Sequence, residues 1–399
     1  MYNFFYLFVF FIAAQPAIAQ NVLRGKVTDG NNGADIPAVS IYINNSSKGT
    51  STNTKGEYLL SNITVVPFDL VATCIGYETF SVTITGANLL EPFNIKLKQK
   101  SAELQAVIIQ RYEKDGWNKW GKTFKDNLIG SMDNAADCEI VNYKTVKFVY
   151  DKKQNLLTAF ADEPLIIVNK FLGYELKFDL QNFSTNFKTK LNFYEGFPFF
   201  TQLSAKPKKI IKWKRHRENI YSGSILHFMR SVYRNTLEQE GFEIRVLKRY
   251  PNVEKQRVKK MYSSLIDKTN GVITIRHTDS TEYYNKILGQ SDSMDYVYKE
   301  KIKADSIAYQ YDKTTAGLSF DNHIQVWHNS LVEDYTKPFH QDANKKIHPT
   351  SIISIINAID IFVYANGSCY HPISLFTEGY WGYSEKLCNL LPIDYVVGD

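Results

Sequence analysis

Beyond an opening apolar stretch, the first hundred residues run as short alternating segments cut by turn residues. Val39, Ile41 and Ile43 fall on one face, with Ser40 and Tyr42 on the other, the period of a strand that buries one side. Further strands are predicted over residues 23–27, 58–60, 68–74, 79–84 and 93–97. Residues 29–33, 44–49 and 53–56 are rich in Asn, Asp and Gly and turn the chain between them. Strands this short and this closely spaced predict a two-sheet sandwich over residues 20–98.

The pattern then changes period. A strand is predicted at 106–110, and Trp117, Trp120, Phe124 and Leu128 follow as the stripe of an amphipathic helix, so residues 99–135 read as a linker and a helix. Strands return at 145–150, 156–161, 165–168, 174–180 and 190–194. Residues 222–241 predict a helix that opens on Ser and closes before Gly241, with Ile225, Phe228, Met229, Val232 and Tyr233 on its apolar face. On the same wheel His227 joins Arg234 and Glu238 on the polar face, either solvated, the favoured reading, or turned toward a partner domain. Asn270-Gly271 and Asn366-Gly367 each predict a two-residue hairpin turn. The expected fold is mainly β, of α+β type, with residues 136–399 forming a mixed antiparallel-sheet and helix region.

Several quoted segments carry a family resemblance. Gly25-Lys26-Val27-Thr28-Asp29, Ile36-Pro37-Ala38-Val39-Ser40-Ile41, Gly49-Thr50-Ser51-Thr52, Gly56-Glu57-Tyr58 and Ile75-Gly76-Tyr77 together resemble the carboxypeptidase-regulatory-like domain. The resemblance implies a prealbumin-like β-sandwich of the kind found at the front of exported envelope proteins, and it implies no activity. Residues 138–174, with Glu378-Gly379-Tyr380-Trp381 and Leu391-Pro392-Ile393-Asp394-Tyr395, resemble an uncharacterised region that often follows this sandwich in exported proteins. In zinc carboxypeptidases the metal site begins with His-x-x-Glu in a separate catalytic domain. None of the 8 His here has Glu three places later, so peptidase activity has no support.

The opening stretch reads as an address. Residues 4–14 are apolar without a break, and Ala17-Ile18-Ala19 follows, which predicts a signal peptide over 1–19 cleaved after Ala19. No later stretch is apolar for long enough to predict a membrane helix. The protein is therefore expected to be exported: periplasmic, outer-membrane-associated or secreted.

Composition narrows the chemistry. With 47 Lys and Arg against 41 Asp and Glu, the net charge of +6 is too dilute to predict nucleic-acid binding. Seven of the twelve residues 206–217 are nonetheless Lys or Arg, a stretch read as a solvated edge strand guarded by lysines, with anionic head groups or acidic glycans as possible contacts. Gly116 to Thr123 matches the phosphate-loop pattern letter for letter. Two Trp inside it suit an amphipathic helix better than a loop closing on phosphate, so no nucleotide is expected.

Reactive machinery is not visible. His323 and His328 flank a strand with an odd separation, which places them on opposite faces. His277 shares an apolar face, and His340, His348 and His371 are scattered through loops, so no metal or cofactor is expected. The 4 Cys allow three full pairings; Cys369 and Cys388 are near enough in sequence to staple the C-terminal region, while Cys74 reads as a buried hydrophobe. Two functions are in view. One is a non-enzymatic binding or scaffold module for a glycan, peptide or envelope protein, with Trp213, Trp327, Tyr380 and Trp381 as candidate contacts. The alternative is an exported hydrolase whose site lies in the C-terminal region, drawing on Cys138 or Asp360 with His371.

Overall fold

A computed structural model describes residues 21–63, 67–100, 112–267, 274–275, 281–330, 349–356 and 359–398. The expected leader (1–19), the 106–110 strand, the Asn270-Gly271 turn, His277, His340 and His348 lie outside the described residues. The chain divides into two compact units: Met1–Asn44 with Lys48–Ala102, and Asn45–Ser47 with Glu103–Asp399.

In the first unit β1 (Asn21–Asp29), β2 (Ser40–Ile43), β3 (Gly49–Ser51), β4 (Glu57–Ile63), β5 (Phe68–Thr73), β6 (Phe80–Ile84) and β7 (Ile95–Leu97) form two sheets, ordered β4-β1-β7 and β3-β2-β5-β6. In β4 alternate residues turn inward, with Tyr58 and Leu60 buried and Leu59 between them exposed, but in β2 Tyr42 is buried along with Ile41 and Ile43, so that strand is covered on both faces rather than one. Leu23, Val27, Ile41, Leu70 and Ile84 are buried in this β-sandwich, and Val71 is buried with Tyr42 on the opposite face of its sheet. The turns behave as their glycines require, with φ of 70° at Gly56 and 87° at Gly76. Two segments of the motif set meet directly, because the buried Asp29 carboxylate accepts a 2.8 Å hydrogen bond from the Tyr77 hydroxyl.

The second unit has two cores. In the first, α1 (Gly116–Leu128) packs Phe124 and Leu128 onto a six-stranded antiparallel sheet. Its strands are β8 (Cys138–Ile140), β9 (Val146–Asp151), β10 (Leu156–Ala161), β11 (Leu165–Asn169), β12 (Tyr174–Asn186) and β13 (Leu191–Gln202). Gly116 through Thr123 is continuous helix, so the phosphate-loop match has no loop. The β12–β13 hairpin outruns its expected bounds. Polar residues at 181–182 and 184–186, with a register shift between Leu180 and Asn182, hide the strand period around Phe183, but the backbone ladder continues to Asn186↔Leu191.

Two sequence expectations are corrected beyond this sheet. Residues 206–217 are not an edge strand: α2 (Pro207–Tyr221) is a helix that opens on Pro at its first turn. Trp213, Arg217 and Tyr221 recur every four residues as its buried stripe. The 222–241 helix is shorter than expected, with α3 (Ile225–Arg234) capped by the Ser224 side chain and ended by left-handed Asn235 at φ 55°.

The second core follows. Along the chain come β14 (Phe242–Pro251), α4 (Val253–Leu265), β15 (Ile266–Asp267), β16 (Thr274–Ile275), α5 (Thr281–Leu288) and β17 (Ser293–Ile302). After these come β18 (Ala308–Gln310), β19 (Thr315–Leu318), β20 (His323–His328), β21 (Thr350–Ile355), β22 (Ile361–Tyr364), β23 (Cys369–Tyr370), β24 (Leu375–Gly379) and α6 (Tyr380–Ser384). A five-stranded sheet β17-β14-β20-β21-β24 and a four-stranded sheet β18-β19-β22-β23 share a core with α3 and α6, built on Phe228, Ile324, Val326, Ile361, Val363 and Trp381. No described helix is long and apolar enough to cross a membrane. The molecule is mainly β with several antiparallel sheets.

Candidate functional site

The four-stranded sheet has one face in the core and one in solvent. Ala316, Leu318, Ile361 and Val363 point inward. The register then sets the outer face, since residues paired across antiparallel strands share a side. Tyr309 pairs with Gly317, Gly317 with Phe362, and Phe362 with Tyr370. One row across all four strands is therefore aromatic except at its glycine. Tyr311, two residues along, joins this face and packs its ring 4.7 Å from that of Phe362. Tyr309, Tyr311 and Tyr370 are 42%, 60% and 44% exposed, too open to be serving the core.

Gly317 lets this row lie flat. A Cβ there would stand 2.3 Å from Cζ of Tyr309, so the tyrosine ring occupies the space a side chain would take. The Tyr309 hydroxyl donates to Asp360 at 2.6 Å, which fixes the ring along the sheet. At the far end His371 packs 4.1 Å from Tyr370, in the left-handed conformation at φ 64°.

Two clefts open beside this sheet. One of about 570 Å³ is lined by Tyr233, Asn235, Tyr309, Gln310, Asp312 and Lys313. A second of about 590 Å³ is lined by Glu243, Lys301, Lys303, Trp327 and Asn329, and shares Asn235 and Asp305 with the first. Within it Glu243 accepts from Lys301 at 2.6 Å and Arg245 at 2.5 Å. Burial opposes the Glu243 charge, but these two cations hold its carboxyl below the usual range. Rings with flanking amides and ion pairs suit recognition of a polyhydroxylated ligand.

His227 is not on a solvated face. The turn after Asn235 brings Glu240 back over α3, and Glu240 accepts from His227 Nε2 at 2.9 Å, from Ser231 at 3.0 Å, and from Arg234 and Thr236. Nδ1 of His227 accepts from the Gly223 amide at 3.1 Å, so both ring nitrogens are engaged. Burial pushes His227 down to about 4. Burial works against the Glu240 charge as well, yet its four donors bring that carboxyl down to about 2. His328 donates from Nε2 to the Glu240 carbonyl, and its Nδ1 accepts from both the amide and the hydroxyl of Ser330. This network is saturated, and it braces the turn that walls both clefts.

The expected contact residues separate. Trp213 is buried, donating from Nε1 to the Lys170 carbonyl at 2.8 Å. Trp381 is buried and donates to the Gly223 carbonyl at 2.9 Å, and Tyr380 is buried beside it. These three side chains serve the core, whereas Trp327 is half-buried and lines the larger cleft. Of the residues considered for hydrolysis, Asp360 and His371 stand at the aromatic face, and Cys138 is buried with its thiol pushed up to about 12. The Cys369–Cys388 staple is corrected too. No disulfide joins any of the four cysteines; Cys369 packs against the second core of this unit and Cys388 sits inside the first. Cys74 is half-buried at the end of β5 rather than sunk in the interior.

The aromatic row itself was not anticipated. Its signal is the alternation Ala308-Tyr309-Gln310-Tyr311 and Ile361-Phe362-Val363-Tyr364, with aromatics at every second position.

A search of curated proteins returns no match to this chain. Residues 23–109 match the family model described as the CarboxypepD_reg-like domain, and the first sandwich is a domain of that kind.

Proposed function

We propose that this chain is an exported, non-enzymatic binding module of the cell envelope whose ligand is a carbohydrate, held on the outer face of the β18-β19-β22-β23 sheet. The observation that carries this reading is the register-aligned row Tyr309–Gly317–Phe362–Tyr370. Three interstrand spacings of ~4.8 Å make it about 14 Å long, enough for more than one sugar ring. The apolar C–H face of a pyranose gains by covering an aromatic ring, and its hydroxyls need polar partners at the rim. Asp360, Gln310, Asp312 and Lys313 supply such a rim. A flat strip with few enclosed walls favours chain-like ligands and modest affinity over tight capture of a small molecule.

Calorimetric titration with a panel of soluble neutral oligosaccharides tests this. At least one should bind, and Tyr309→Ala and Tyr370→Ala should each weaken it about tenfold, or ~1.4 kcal/mol, without loss of fold. Binding that ignores both substitutions would refute the site, and no binding by any member of the panel would refute the ligand class.

A further inference from the structure

The outer face of α2 is a second interaction surface, independent of the aromatic row. The helix is fastened by one side only. Trp213 lies against Gly173, where a Cβ would stand 2.1 Å from the indole. His216 bonds the Phe171 carbonyl and stacks on the Phe171 ring, and buried Arg217 donates to the Leu172 carbonyl at 2.8 Å. Lys208, Ile211, Lys212 and Arg215, at i, i+3, i+4 and i+7, occupy the opposite side.

That side is charged in a way the helix itself does not need. Lys206, Lys208, Lys212, Lys214 and Arg215 form no ion pair among the described residues. The first turn holds two lysines and no acid, and the last turn holds no base, the reverse of what the helix dipole favours. A local rule broken without compensation marks function more often than stability.

The cations are not alone. Ile211 is 61% exposed in their midst. Lys214 donates to the Gly398 carbonyl at 3.5 Å, which holds Val396 and Val397 nearby, 56% and 55% exposed. A soluble polyanion would have no use for these three apolar side chains, whereas a lipid surface takes both parts: head groups for the lysines and the acyl boundary for Ile211 and the valines.

We propose that this face of α2, with Val396 and Val397, docks on an anionic lipid surface. Cosedimentation of the full chain with vesicles tests it, using phosphatidylglycerol mixed into phosphatidylcholine and phosphatidylcholine alone. Binding is expected only with phosphatidylglycerol and should weaken as salt rises. The triple variant Lys208→Glu/Lys212→Glu/Arg215→Glu should lose at least tenfold in vesicle affinity, and Ile211→Ser several-fold. Circular dichroism and binding to the oligosaccharide panel should remain unchanged in both variants. Equal partitioning of wild type and triple variant would overturn the proposal. So would binding to a soluble polysulfate that is stronger than to vesicles and indifferent to Ile211→Ser, since that assigns the face to an acidic polymer.

Discussion

The ring of Tyr309 lies across the bare α-carbon of Gly317, on the neighbouring strand, with its hydroxyl donating to Asp360. Gly317→Ala should lift that ring, because the new Cβ would stand 2.3 Å from Cζ. Ala316 and Leu318 face the other way, so the core is spared and stability should move by less than about 1 kcal/mol. Oligosaccharide affinity is expected to fall about fivefold with the melting temperature nearly constant. A Gly317→Ala protein that binds like wild type would separate the flatness of the row from its function.

Buried His227 and half-buried Glu385 give opposing pH dependences. Burial raises Glu385 from 4.5 to about 7, so the folded state holds more protons than the unfolded state across that interval and loses stability as pH rises through it. Burial lowers His227 from 6.5 to about 4, so the folded state holds fewer protons there and gains stability as pH rises. The slopes cancel in part between pH 4.5 and 6.5. Glu385→Gln keeps an acceptor for the Ile225 amide and removes one slope. The variant should be about 1–3 kcal/mol more stable than wild type at pH 8, near equal at pH 4.5, and steeper in acid loss between. Denaturant midpoints across that range decide it: parallel curves for the two proteins would contradict the Glu385 assignment, and a variant curve that stays flat between pH 6.5 and 4.5 would contradict that of His227.

Arg230 is buried with carbonyls in place of an acid, donating to Asn366, Ile393 and Tyr395. It ties α3 to the β22–β23 turn and to residues 393–395. Arg230→Met leaves three carbonyls unsatisfied and should cost about 2–4 kcal/mol in urea unfolding. Arg230→Lys should recover little, since one ammonium cannot reproduce the fork. Full recovery by lysine would show that charge alone matters here.

The thiols should fall into two classes. Cys138 and Cys388 are buried, with burial pushing both thiols up, while Cys74 and Cys369 are half-buried. Alkylation of the native protein is expected to modify Cys74 and Cys369 first, and denaturant without reductant should expose all four. Peptide mapping that finds Cys388 modified early, or any thiol missing after denaturation, would count against this arrangement.

How much of this could be read in advance depended on where periodicity met geometry. The first sandwich was legible where a strand alternates and its turn carries Gly or Asn, as at Gly56 and Tyr58-Leu59-Leu60, while β2 and β5 are buried in runs that the alternation does not describe. His227 was misplaced because the helix was extended past Asn235, whose left-handed backbone swings Glu240 onto the face that the wheel had given to solvent. The basic stretch was misread because lysines guard strand edges and coat helices alike; Pro207 and the spacing of Trp213, Arg217 and Tyr221 were the better guide. The aromatic row turned on a single residue of register. A two-residue turn at Asn366-Gly367 would pair Val363 with Tyr370 and send that tyrosine inward. The turn instead holds Ala365, Asn366 and Gly367 between Tyr364 and Ser368, with Gly367 at φ 86°, so Tyr370 pairs with Phe362 and stands outside.

The most direct measurement is a tyrosine-ring NMR titration of the full chain with the tightest-binding oligosaccharide of the panel. Docking on the outer sheet face predicts that ring signals of Tyr309, Tyr311 and Tyr370 move together in proportion to occupancy, while those of buried Tyr42 and Tyr58 stay fixed. Saturable binding that leaves those three rings unmoved would contradict it.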